Sequence, residues 1–548
     1  MISSHRSLHV ALVMVTTCFV IMTSLLAIGQ ILQSNWNELF LFNGDSLTLA
    51  LYAKSLFSGE LRDWTFSSQI FFFPEIFIYL ICYAITPNLE WSFVLNGLLN
   101  YWLFTFFLYR IASTVGANVW VRCGFIILAS SLLLFYCSLE QGAEVNVTAL
   151  VTLFLFNTYY FGAVLCALCV TWITCCILNE SHFAKRYGYA LILAFTAMTY
   201  FSNPMFLLQG AVPFVTSLLF MRWYLHADKK VSFFLLVSML SGVLIGQVMR
   251  MIFSDHIGKS IGKYVHLRSV IDGIQGFGAN FSRIAETTTG VLEYVIIGSL
   301  LIAAIVLALR YIGMSARTRS LSTIGVSPAL LFLSLFVASS ASITLLGTLV
   351  SGNYLMRYFL PVALLPLFAL VTAFSQHAQL SRAATGRYFS ACVMVGIALV
   401  IFAYAPTQSM ASFSWVFKTN YSQGHAGIRC FNEHMANKPF NVVGTFWSAR
   451  TLDAYGVTGA RALQVNERFE PTLWLNNRAT YKDLAVNGVI VSRPVENVRQ
   501  KGNIYPEETR VLGHPDNIFR CKDFDIYFYA DGSQGYRHLA EQLKKLKR

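Results

Sequence analysis

Apolar blocks long enough to cross a lipid bilayer recur along most of this 548-residue chain, and they leave few folds open to it. About 20 apolar residues span the hydrocarbon core as a helix. Such blocks lie near 8–32, 69–86, 91–109, 120–138, 145–178, 187–201, 205–223, 231–253, 290–310, 325–348, 357–376 and 388–405. A membrane β-barrel would show short segments of alternating polarity instead. The expected fold class is therefore an all-α polytopic membrane bundle. Only 12% of the residues are charged, about half the share usual in soluble proteins.

The block 145–178 is too long for one span and is interrupted by Asn157-Thr158-Tyr159-Tyr160. It reads as a tight hairpin of two, which brings the expected total to about thirteen spans. An eleven-span alternative makes 69–86 re-entrant and 145–178 one long helix. Basic residues orient the bundle, because they collect in cytoplasmic loops. Lys185-Arg186, Arg222 with Lys229-Lys230, Arg310 with Arg317 and Arg319, and Arg382 with Arg387 fall in alternate loops. Arg110 and Arg122 flank a loop that thirteen spans put outside and eleven put inside. On either count the first outer loop, 33–68, the outer loop 254–290 and everything after 405 share the outer face. The N-terminus, with His5 and Arg6, stays inside as a retained signal anchor. Its apolar run exceeds the usual core of about 7–15 residues, and no small-x-small cleavage site is evident.

The chain thus divides into a transmembrane domain, 1–405, and a soluble extracytoplasmic domain, 406–548. In the latter, 440–446, 489–492 and 526–529 read as strands and 424–435 and 538–546 as helices, giving a small α/β unit. From Phe417 onward there are 19 Lys/Arg against 13 Asp/Glu. That mixture lacks the basic runs of a nucleic-acid binder, and a modest attraction to anionic membrane lipid is the plainer reading. Nine of the eleven cysteines sit in or beside apolar blocks, where they act as small hydrophobes. Cys430 and Cys521 fall in the outer domain and are available for a disulfide; whether they are joined stays open.

The residues that could carry chemistry concentrate in 43–79. Asp45 lies in a Gly44-Asp45-Ser46 turn just outside the first span. Its carboxylate suits either a general base that takes a proton from an attacking hydroxyl or a cap on the amphipathic run 46–57. Asp63 and Trp64 follow; the indole is either an interfacial anchor or a platform for a sugar ring, and Arg62 is a ready partner for Asp63. Glu75 enters the membrane behind Pro74. An acidic group there is costly and usually functional, or else it marks a helix start, where proline and a carboxylate are both favoured. Arg357, in Asn353-Tyr354-Leu355-Met356-Arg357-Tyr358-Phe359-Leu360-Pro361, is on the wrong face for a topology charge. A guanidinium binds phosphate with two parallel hydrogen bonds, and snorkelling to lipid headgroups is the alternative. Loop 254–290, with Lys263 and Arg268, is either a grip on a lipid phosphate or an amphipathic surface helix. Its histidines lack metal-ligand spacing with carboxylates, so neither metal nor cofactor is expected.

Three stretches together, Gly44-Asp45-Ser46, Phe72-Phe73-Pro74-Glu75-Ile76-Phe77-Ile78-Tyr79 and Arg357-Tyr358-Phe359-Leu360-Pro361, resemble the GT-C class of integral-membrane glycosyltransferases. The resemblance is to members that modify bacterial O-antigen or lipid A and to protein O-mannosyltransferase-like members. Paired acidic residues mark the first loop of many members; here the candidates, Asp45 and Asp63, are separated. The resemblance implies a helical bundle with a cavity at the outer leaflet and sugar transfer with inversion from a polyprenyl-phosphate-linked sugar donor to a glycan or glycolipid acceptor. It makes Asp45 the base and Arg357 the phosphate ligand, helped by Lys263 or Arg268. Glu75, Trp64, Asp63 and Tyr358 are then substrate-binding. By analogy the acceptor is lipopolysaccharide O-antigen or another cell-envelope glycan, and the location a bacterial inner membrane with a periplasmic C-terminal domain. A flippase for lipid-linked sugars would show midplane charges and inverted repeats, neither of which is present. An O-antigen polymerase or ligase is the other alternative.

Overall fold

The computed structural model describes residues 2–60, 63–142, 150–156, 158, 160–224, 228–258, 267–318, 327–378, 382–404, 414–418, 420–482, 484–494 and 502–545. Among them are nine helices long and apolar enough to cross a membrane. They lie in α1 (Ile2–Gln33), α4 (Leu89–Thr114), α5 (Val119–Leu139), α6 (Phe161–Leu178), α9 (Lys229–Ile252), α11 (Thr288–Thr318), α12 (Pro328–Val350), the stretch Met356–Ala373, and α15 (Arg382–Tyr404). Two more run alongside them, α7 (His182–Ser202) and α8 (Val212–Tyr224), the latter extended by the apolar turn Leu207–Ala211. α7 packs between α6 and α9, and α8 against α12. The spans of α5 and α6 are 83% buried and form the centre. Those of α11 and α15 are only 22% buried and stand at the rim, as helices facing lipid should.

This arrangement corrects the thirteen-span reading at both disputed points. The apolar helix Phe72–Ile85, which contains α3 (Phe77–Ile85), has fourteen residues and is only about 21 Å long, short of a hydrocarbon core of about 30 Å. It starts and finishes at one end of the bundle. Ile70 N–H donates to the Ser202 carbonyl at the end of α7 (2.8 Å). Tyr83 packs on Phe57, at the end of helix α2 (Leu47–Phe57). The block 145–178 is likewise not two spans: Val151–Leu155 is one short turn and α6 begins after Tyr160. Arg110 and Arg122 consequently fall at the end opposite the C-terminal domain, with the other basic loops. There Asn179 donates to the Thr114 carbonyl, and Arg122 to Ser113 at 2.7 Å.

The C-terminal domain is α/β. Its five strands run in the order β3-β2-β5-β7-β6, with β2 (Val442–Gly444), β3 (Ala462–Gln464) and β5 (Gly488–Ser492) parallel and β6 (Asn517–Arg520) and β7 (Phe524–Phe528) antiparallel. Helices α16 (Ala426–Met435), α17 (Phe446–Tyr455) and α18 (Gln534–Lys544) accompany the sheet. Cys430 and Cys521 are joined in a disulfide. His434 lies beside the two sulfurs, but their bond to each other spends them as thiolate ligands.

This domain is sewn to the first outer loop. Strand β1 (Trp64–Thr65) pairs antiparallel with β4 (Asn476–Asn477). Lys54 donates to the Asp453 carbonyl (2.9 Å) and Tyr455 to the Leu41 carbonyl (3.1 Å). The Glu90 carboxylate, at the start of α4, accepts the backbone N–H groups of Asn420, Tyr421 and Ser422 at 2.6–3.0 Å. These three bonds pin the entry of the domain to the bundle.

Candidate active site

The turn that carries Asp45 is shaped by its neighbours. Asn43 accepts the Asp45 N–H with its side chain (2.9 Å), a local Asx turn. Gly44 packs so tightly on Phe446 of α17 that a Cβ there would sit 2.7 Å from the ring. Ser46 occupies the cap position of α2, and no side chain caps that helix. Asp45 is therefore not spent on capping. Its carboxylate faces Arg357, with Nη1 to Oδ2 at 3.5 Å. Arg357 reaches that position on a 3₁₀ turn, Met356–Phe359, placed ahead of Pro361. Its guanidinium also lies over the rings of Tyr358 (5.6 Å) and Tyr160 (5.8 Å), a cation–π arrangement. The two phenols hydrogen-bond to each other at 3.4 Å.

Asp45 and Arg357 line a cavity of about 250 Å³ together with Gln69, Thr158, Tyr160, Asn353, Tyr358 and Trp474. A second hollow, of about 800 Å³ and mostly apolar, shares Ser68, Gln69, Met205 and Asn353 with it. That hollow runs along α9 and α12, past Met251, Leu208 and Val350. A polar chamber thus adjoins an apolar groove.

The C-terminal domain contributes to this chamber. Trp474 and Leu475 form part of its wall. Arg450, on α17, is buried; it donates to Thr48 Oγ1 (3.1 Å) and to the Leu475 carbonyl. Burial pushes its guanidinium down to about 10, so it stays charged at neutral pH. Asp45 feels three influences. Burial raises its carboxyl above the usual carboxylate range, while Arg357 and then Arg450 pull it back. The side chain is 25% exposed, toward the cavity, so water there tempers the first effect. With Asp45 in the role of base that the sequence resemblance implies, the carboxyl must be ionised to act, and the acid limb of kcat/KM is expected above that of a free aspartate. Replacing Arg450 with Met removes a positive charge near Asp45 and is expected to move that limb to still higher pH. A limb that stays in place in a pH–rate profile would show that Arg450 does not act on Asp45.

The other residues singled out by sequence are dispersed. Tyr358 lines the chamber; Glu75, Asp63, Trp64 and Arg268 do not. Asp63 faces the C-terminal domain, with Arg478 at 3.8 Å and Lys482 at 4.0 Å. Trp64 is buried in β1, packed on Tyr52 and Phe66, where no sugar ring can reach its face. Arg268 is exposed on α10 (Leu267–Ala285), an amphipathic helix at the periphery. Lys263 and Arg62 lie outside the described residues. Asp63→Asn is expected to change turnover less than threefold and to cost about 0–1 kcal/mol of stability, as for partly exposed ion pairs; a large loss of activity with unchanged melting would place Asp63 in the chemistry after all. Sequence reasoning missed Tyr160, Thr158, Asn353, Trp474 and Arg450. The polar break before α6 held a signal for the first two. Arg450 and Trp474 carried none, because nothing in 440–480 marks which face meets the bundle.

The bundle, the outer loop and the capping C-terminal domain together form a GT-C-type glycosyltransferase fold. Among solved structures it is shared with ArnT from Cupriavidus metallidurans. In the form bound to undecaprenyl phosphate, that protein matches with a TM-score of 0.52 at 12% identity, over 95% of this chain and 98% of ArnT. The apo form gives 0.51 at 13% identity, over 96% and 98%. The apo oligosaccharyltransferase of Archaeoglobus fulgidus gives 0.43 at 12% identity, over 87% of this chain and 69% of that one. No protein-family model matches the sequence, and no curated protein matches it.

Proposed function

We propose that this protein is a membrane glycosyltransferase that moves a sugar from a polyprenyl-phosphate carrier to an acceptor hydroxyl outside the cytoplasm, with inversion at the sugar carbon. One observation carries the reading: a carboxylate and an arginine face each other in a polar chamber that adjoins an apolar groove. That is the shape of a ligand with a sugar, a phosphate and a long hydrocarbon tail. ArnT, which shares the fold, has been solved with undecaprenyl phosphate, a carrier of this class.

The step follows from the residues. The acceptor hydroxyl enters beside Asp45, which takes its proton as the oxygen attacks the anomeric carbon. The bond from that carbon to the phosphate oxygen breaks on the opposite face. The lipid phosphate leaves with the electron pair, and Arg357 meets the growing charge. A phosphate is already a good leaving group, so most of the acceleration comes from positioning. The acceptor is a cell-envelope glycan, lipopolysaccharide O-antigen by analogy, and the C-terminal domain, which walls the chamber with Trp474, faces the periplasm of a bacterial inner membrane. The test is direct. Purified protein is incubated with a panel of polyprenyl-phosphate sugars and a crude lipopolysaccharide pool, and donor loss is followed. Consumption that needs both components supports the reading. Intact donor across the panel, with donor moved between the leaflets of proteoliposomes, would replace it with a flippase.

A further inference from the structure

Glu75 sits behind the wall of the chamber, four residues past Phe71, in a hollow of its own. The hollow, about 10 Å³, lies between the start of the Phe72–Ile85 helix, α4 and α6, and its walls include Asn96, Asn100 and Gly162. Glu75 is only 6% exposed, and among the described residues neither carboxylate oxygen has a hydrogen-bond partner. Asn96 Oδ1, buried beside the same hollow, has none either. Gly162 leaves room for this carboxylate, because a Cβ there would collide with it. Buried polar atoms are nearly always satisfied, and an ionised carboxylate without a partner is among the costliest groups to bury. Among the described residues, no basic side chain lines the hollow. On one side of this space, about the size of one water molecule, stand the Glu75 carboxylate and the carboxamides of Asn96 and Asn100; apolar side chains close the rest.

We infer that Glu75, Asn96 and Asn100 form a binding site for one small monovalent cation, with sodium as the natural occupant. One carboxylate supplies one negative charge, which a monovalent ion neutralises and a divalent ion would overcompensate. The donor set is all hard oxygen, which suits s-block ions and not the softer transition metals. A bound ion would tie together the three helices that meet at Glu75. It would thereby hold Phe71, whose ring packs against Tyr160 at 6.0 Å, in the chamber wall. The site does not depend on what the chamber transfers.

Melting of the detergent-purified protein tests this without an activity assay. At constant ionic strength and pH, replacing choline chloride by sodium chloride is expected to raise Tm by a few degrees along a saturating curve, with less effect from potassium chloride. Glu75→Gln removes the charge and is expected to abolish the sodium dependence. Asn100→Ala keeps the carboxylate, and is expected to shift the curve at least tenfold to higher sodium if the glutamine variant does not fold. Equal melting in choline and sodium would overturn the site and leave Glu75 as a protonated acid. A sodium effect that persists unchanged in both variants would overturn it as well, by placing the ion elsewhere.

Discussion

Asn in place of Asp45 is expected to slow sugar transfer by about 10²–10⁴-fold, the contribution typical of a positioned general base. The substitution keeps the volume of the side chain and an oxygen that Arg357 can approach, but the amide cannot take up a proton at the moment of attack. The ion pair it removes is partly exposed and separated by 3.5 Å, so its loss should cost about 0–1 kcal/mol of stability. Melting should therefore stay close to wild type while kcat collapses. Binding of the lipid phosphate should survive or tighten slightly, since a carboxylate near that phosphate repels it. The decisive comparison is kcat for donor consumption in the two proteins at saturating donor. A loss of less than tenfold would make Asp45 a partner for Arg357 and nothing more, and the base would have to be sought among the other chamber residues.

Replacing Arg357 with Met is expected to cost about 10²–10³-fold in kcat, comparable to removing one donor from an oxyanion hole. Two effects combine. The leaving phosphate loses the guanidinium that meets its charge, and Asp45 loses its first positive neighbour. With burial then opposed mainly by Arg450, the Asp45 carboxyl rises further and the variant should fail first at acid pH. Measuring kcat well above the acid limb separates the two. Lysine at this position should restore part of the rate, because it supplies charge without the planar fork. If the Met variant shows a raised KM with kcat unchanged, Arg357 binds the donor equally in ground and transition states, and the role assigned to it in bond breaking is wrong.

Much of the architecture was legible because it rests on local chemistry. Twenty apolar residues in a row have few ways to satisfy their backbone in lipid other than as a helix. Strands at 489–492 and 526–529 were readable as short apolar runs, and with the helix at 424–435 they stand within two or three residues of where the fold has them. The span count went astray at 69–86 because composition does not say whether a chain crosses or turns back. The fourteen-residue helix Phe72–Ile85 returns to the end it came from because Ser202, Phe57 and the C-terminal domain hold the chain there on both sides of it.

The candidate site divides along the same line. Asp45 and Arg357 stood out in the sequence because each is a charge where neither packing nor topology asks for one. Asp63 and Glu75 stood out for the same reason and Trp64 as an aromatic beside them, and folding sent them elsewhere: Asp63 to an ion pair with Arg478, Trp64 into a buried strand, Glu75 into a closed hollow. By itself the sequence determined that this protein is a membrane helical bundle with an α/β terminal domain, and it placed most of the candidate site residues near the first outer loop. Only the tertiary structure brought Asp45 and Arg357, 312 residues apart in the chain, to 3.5 Å and set Arg450 and Trp474 beside them. The reason is physical. Hydrophobic length and polarity act on neighbouring residues and can be read in order, whereas the approach of two side chains across a bundle depends on how all the helices between them pack.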